Sequence, residues 1–104
     1  MARMGFRFRI APGTEAEYER RHQQVWPEML AAIRHAGYRN YSIFRDGTDL
    51  FGYFEADDAR VTLETIAASP VGARWEAFMR DILDRGADDA TGIPRGLTEV
   101  FHLD

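Results

Sequence analysis

The chain contains no cysteine. That excludes a disulfide framework, a thiolate nucleophile and a cysteine-bound zinc, and it points to a cytoplasmic protein. Long apolar runs are missing too: none approaches the ~20 residues that cross a bilayer, so no membrane association is expected. The start, MARMGFRFRI, alternates arginine with apolar residues where a signal peptide would carry an unbroken apolar segment. Positive charge is not in excess. With 13 basic and 17 acidic residues the net charge is -4, which argues against a nucleic-acid backbone as the main partner. There is no Gly-rich phosphate loop, no His-x-x-x-His pair and no nucleophile elbow. The three histidines, His22, His35 and His102, lie far apart, so no metal cluster is expected. What is present is ordinary for one globular domain: 104 residues, 45% hydrophobic and 29% charged.

Residues 3–10 alternate Phe6, Phe8 and Ile10 with Arg7 and Arg9, the period of a half-buried strand. Pro12-Gly13 ends it, and Thr14 with Glu17 offers a capping box for a helix that should run to about Ala36 and stop at Gly37. Pro27 predicts a kink or break near Trp26. Residues 38–45 and 50–55 form a hairpin about the turn Asp46-Gly47-Thr48-Asp49. Asp57 and Asp58 can cap a short helix through 62–68, and Ser69-Pro70 opens another in which Val71, Trp75, Phe78, Met79 and Ile82 keep helical spacing. Residues 86–96 read as a loop and 97–103 as a last strand. The order β-α-β-β-α-β predicts a ferredoxin-like α+β fold, an antiparallel sheet with helices on one face. Several strands are apolar on both faces: Tyr41 and Ile43 against Phe44, Leu50 and Phe54 against Phe51 and Tyr53. A second copy across a two-fold axis would cover the other face, giving a homodimeric α+β barrel.

The most informative stretch is YERRHQQVWP, residues 18–27. Tyr18, His22 and Trp26 stand at steps of four and share one helix face with Val25, Met29 and Ile33. Arg20, Arg21, Gln24, Glu28 and His35 fall on the wet side. Two readings fit His22: a core histidine satisfied by a carbonyl or a phenol, or a proton-transfer group with an ordinary pKa of ~6.5. Tyr41 in the facing strand, and Trp75 on the later helix, would add a phenol and a flat apolar wall. An aromatic cavity with a few polar groups suits a sugar.

With these residues in place, the chain resembles the L-rhamnose mutarotase family over nearly its whole length. The resemblance lies in EYERRHQQVWPEM, in the hairpin from NYSIFRD to LFGYFE, in SPVGARWEAFMRDIL and in LTEVFHL. It implies a cofactor-free homodimer in which His22 is the proton donor and Tyr18, Tyr41 and Trp75 contact the sugar. Two positions depart from the family pattern. Glu76 stands where a second tryptophan is usual, and ADDATGIPR, residues 87–95, replaces an Asn-Pro-Asp-Asn-Ser-type stretch. The expected activity is interconversion of the α and β anomers of a 6-deoxy-hexose, L-rhamnose first among them. Two alternatives stand beside it. One is a cofactor-free monooxygenase of the dimeric α+β-barrel type using Asn40, His22 and Trp26. The other is a non-catalytic sugar-binding domain.

Overall fold

The computed structural model describes residues 1–84 and 95–104. Eight elements follow one another: β1 (Ala2–Arg9), α1 (Glu15–His22), α2 (Pro27–Ala36), β2 (Arg39–Asp46), β3 (Asp49–Ala56), α3 (Ala59–Ala68), α4 (Pro70–Met79) and β4 (Arg95–Leu97). The fold is α+β. One antiparallel sheet has the strand order β2-β3-β1-β4. Each helical crossover is split in two.

Pro27 breaks the first crossover outright. A proline disfavours helical backbone at the residue before it, and Trp26 adopts φ -57°, ψ 136°. Pro27 then serves as the first residue of α2. Trp26 therefore leaves the Tyr18–His22 stripe, contrary to the spacing argument. The far end of α2 closes as expected, on Gly37 with φ 103°. The expected capping box does not form. The Thr14 hydroxyl donates to the Ala11 carbonyl at 2.6 Å, and the Glu17 carboxylate is taken by Arg20 and Arg21. Asp58 and Ser69 do cap α3 and α4, accepting from the backbone N–H groups of Arg60 and Val61 and of Gly72.

One sheet face carries the core. Ile10, Leu50 and Phe54 are fully buried, and Phe6, Ala56, Tyr18, Met79 and Ile82 pack with them. Since Tyr18, Leu63, Trp75 and Met79 come from helices, the helices cover this inner face. Gly52 stands opposite Phe6, and a Cβ there would lie 2.0 Å from the Phe6 ring. Glycine is what lets that ring lie across the strand. The outer face is mixed: Phe44, Phe51 and Leu97 are exposed among Arg3, Arg7, Arg9, Asp49 and Glu99, which pair with one another.

The last strand departs from expectation. It covers only Arg95–Leu97, while Val100, Phe101 and Leu103 are exposed. The ladder with β1 ends at Leu97 opposite Gly5, although β1 reaches back to Ala2, and beyond it Arg3 holds the tail through Glu99.

Candidate functional site

A cavity of about 1020 Å³ opens between the helices and the inner sheet face. Its wall includes all four sequence-predicted site residues, Tyr18, His22, Tyr41 and Trp75.

Tyr18 and His22 lie one turn apart on α1, and their rings stack at 4.2 Å between centroids with 22° between planes. The His22 Nδ1 is 3.1 Å from the Tyr18 carbonyl oxygen. A carbonyl can only accept, so Nδ1 carries the hydrogen and the neutral ring keeps its lone pair on Nε2. Burial holds the His22 pKa below the ordinary histidine value, against the opposing pull of the carbonyl hydrogen bond. The ring is therefore neutral at pH 7, with Nε2 as the basic atom. Tyr18 itself is only 5% exposed, and burial pushes its phenol far above the usual tyrosine range.

On the sheet side, one irregularity organises the wall. The β2–β3 register shifts between Arg39 and Ser42, and Asn40 takes φ 48°, a left-handed conformation that Asn tolerates. This bulge turns Tyr38 and Tyr41, three residues apart, to the same inner face, where their rings stack at 4.9 Å. Both line the cavity. Burial raises the Tyr38 phenol to about 12 and pushes the Tyr41 phenol higher still. Each stays protonated, able to donate as well as accept a hydrogen bond. Simple alternation would put Tyr38 on the opposite face from Tyr41, so strand periodicity misses it; positive φ at an asparagine is not legible in sequence. The same bulge sends Asn40 outward, where its amide donates to Glu55 at 3.0 Å. The Asn40–His22–Trp26 grouping of the monooxygenase alternative is thus not assembled.

Trp75 presents its ring edge-to-face to His22 at 5.5 Å. Trp26 packs behind it at 5.1 Å and 90° and does not line the cavity. Glu76, half-buried, does line it, as do Gln23, Arg45 and Arg80. Spacing along α4 leaves the direction of Glu76 open. Of the other histidines, His35 borders a separate shallow hollow, and His102 bonds Asp104 in the C-terminal tail. Among the described residues no group of His, Asp and Glu side chains could hold a metal ion, and no helix is long and apolar enough to cross a membrane. The departure at residues 87–95 and the predicted loop 86–96 lie outside the described residues, except for Arg95 and Gly96 in β4.

A sequence model described as L-rhamnose mutarotase matches residues 3–103. The chain belongs to that family. Among its relatives, the L-rhamnose mutarotase of Oceanobacillus iheyensis is 39% identical, with both chains covered completely. That of Rhizobium meliloti is 38% identical over 99% of each. The crystal structure of the L-rhamnose mutarotase from Formosa agariphila superposes with a TM-score of 0.83 at 27% identity over the full length of both chains. Tetracenomycin F2 cyclase from Streptomyces glaucescens, at TM-score 0.62 and 16% identity, shares the fold. Membership in the mutarotase family makes the chain one of the isomerases that act on sugar anomers.

Proposed function

We propose that the protein interconverts the α and β anomers of a 6-deoxy-hexose, with L-rhamnose as its substrate, and that His22 performs the proton transfer. The observation that carries this reading is a neutral His22 in an aromatic cavity, its Nδ1 pinned to the Tyr18 carbonyl and its Nε2 left for exchange. Ring opening moves a proton from the anomeric hydroxyl to the ring oxygen. The C1–O5 bond breaks as the C1–O1 double bond forms, and O5 ends protonated. O1 and O5 are both bonded to C1, so one nitrogen can reach each in turn. Nε2 takes the O1 proton as a base and returns it to O5 as an acid. The free aldehyde rotates about C1–C2 and recloses on its other face by the reverse transfer. Such a group contributes roughly 10²–10⁴-fold. The sugar is neither oxidised nor reduced, and no redox group is needed.

Tyr41, with Tyr38 beside it, supplies hydroxyl partners for the sugar edge, and Trp75 a flat face for its C–H surface. Tyr18, buried beneath the imidazole with its phenol held protonated, supports His22 and contacts the sugar from below. The absence of cysteine fits a cytoplasmic enzyme. Saturation-transfer NMR across a panel of hexoses and 6-deoxy-hexoses tests the whole reading. Faster anomer exchange for L-rhamnose than for the others supports it, and binding without any catalysed exchange would leave only a sugar-binding domain.

Glu76 tests the substrate. A carboxylate on the cavity wall accepts hydrogen bonds from hydroxyls and offers nothing to a methyl group, whereas a tryptophan offers a flat apolar face. Glu76→Trp is expected to tighten L-rhamnose relative to L-mannose in parallel titrations. An unchanged ratio would remove Glu76 from the sugar contacts.

The same reading includes a homodimer. Phe44, Phe51 and Leu97 on the outer sheet face, and Val100, Phe101 and Leu103 in the tail, form exposed apolar surface of the kind a second copy covers. Light scattering at micromolar concentration should report twice the chain mass. A stable monomer would refute the intermolecular barrel.

A further inference from the structure

The helical spacing assigns Arg21 to solvent, yet its side chain is only 12% exposed. It folds across to the C-terminal end of α4. One terminal nitrogen donates to the Phe78 carbonyl at 2.8 Å and to Asp81 Oδ1 at 2.9 Å, and the other donates to Asp81 Oδ2 at 3.2 Å. Its Nε donates to Glu17 Oε2 at 2.6 Å, back on its own helix. The guanidinium carbon lies 4.6 Å from the centre of the Phe78 ring. Phe78 in turn packs on Trp75 at 5.5 Å and on Trp26 at 5.4 Å. One planar cation thus joins two carboxylates, a carbonyl and an aromatic ring, a set that only arginine's fork can engage together.

α1 has eight residues and one buried side chain, Tyr18. A helix this short is not stable by itself and depends on tertiary contacts for its place. Glu19 at its middle is held to the sheet by Arg45. Its end, where His22 sits, is held by the neighbouring Arg21. We propose that Arg21 is a positioning residue for the catalytic histidine: it ties the end of α1 that carries His22 to the end of α4 behind Trp75, and so sets the imidazole against the indole. Its effect on rate rests on the mutarotase reading; its effect on the geometry of His22 does not.

Two variants and two readouts test this. Arg21→Met keeps much of the stem that lies on Phe78 and removes the fork. The maximal anomer-exchange rate per folded protein should fall roughly 10- to 100-fold, the scale of a displaced reacting group, while sugar affinity shifts little. Arg21→Lys, which restores the charge without the fork, should recover only part of the rate. Asp81→Ala, at an exposed position, removes the two Asp81 bonds of the fork without removing the arginine. There the NMR titration of His22 decides. Loss of a nearby carboxylate alone would lower the His22 pKa further, whereas loosening that admits water would raise it toward ~6.5. A rise supports the clamp. A parent-like rate in Arg21→Met with a fall or no change in Asp81→Ala overturns it, even if both variants melt at lower temperature. Should Arg21→Met not fold, Asp81→Ala decides by its rate and its titration. A parent protein without anomer exchange would refute the mutarotase reading, and the titration would still judge the clamp.

Discussion

His22→Ala should leave a folded protein with most of its anomer exchange gone, a loss of roughly 10²-fold or more in rate. The imidazole contributes little to the core that a neighbouring aromatic cannot cover: Tyr18 below it is anchored by Ile10, Leu50 and Met79, and Trp75 is held by Trp26 and Phe78. What disappears is the basic Nε2. The measurement is saturation-transfer NMR on L-rhamnose at matched protein concentration, with circular dichroism to confirm the fold. A variant within a factor of about two of the parent, a difference far below what acid–base catalysis supplies, would make His22 structural. The pH profile gives an independent check. Burial lowers the His22 pKa, so the neutral, active ring persists below the ordinary histidine range. Activity should therefore hold as pH falls to ~6.5 and drop only below it, as Nε2 gains its proton. A midpoint above the ordinary value would contradict a desolvated imidazole.

Phe54→Ala should be the most destabilising single change, costing about 3–5 kcal/mol. Phe54 is fully buried at the centre of the sheet and packs against Phe6 at 6.1 Å, Tyr38 at 4.5 Å and Tyr41 at 6.0 Å. The cavity left behind would be lined by rings that cannot all collapse inward. Native domains hold only about 5–15 kcal/mol in total, and the thermal midpoint should fall by more than about 10 °C. Sugar affinity should weaken in the fraction that remains folded, because Tyr38 and Tyr41 lose the ring that backs them. A midpoint within a few degrees of the parent would mean that the core tolerates the void. A smaller loss is expected from Phe44→Ala, since Phe44 is 65% exposed in the single chain.

Much of this molecule was legible from local spacing. The alternation in β1 and the Asp46–Asp49 turn identify the sheet, because a strand's faces repeat every two residues. Pro27 separates α1 from α2, since its ring disfavours helical backbone at Trp26. Tyr18 and His22 meet because both sit on one unbroken helical turn. Trp26, at the same interval, does not, because the break lies between it and His22. That failure was foreseeable: the proline that predicted a break also cancelled the stripe beyond it.

Other features depend on contacts that no local period encodes. Tyr38 joins Tyr41 only through a bulge at Asn40, whose φ of 48° is selected by the pairing of β2 with β3. The capping box at Thr14 and Glu17 lost to competing partners, a neighbouring carbonyl and two arginines. β4 pairs with β1 only as far as Leu97 opposite Gly5, although β1 reaches back to Ala2, an end that a propensity argument cannot locate. Arg21 reaches Phe78 and Asp81 across 57 and 60 residues of chain, so its burial follows from where α4 lands and not from its helix face. Sequence by itself determined the order of the elements, that the first crossover breaks ahead of Pro27 and that Tyr18 and His22 share a helix face, because backbone sterics and helical or strand periods act within a few residues. Tertiary structure alone decided which side chains close the cavity, how α1 is clamped and that Glu76 lines the wall, because those depend on the packing of segments distant in the chain.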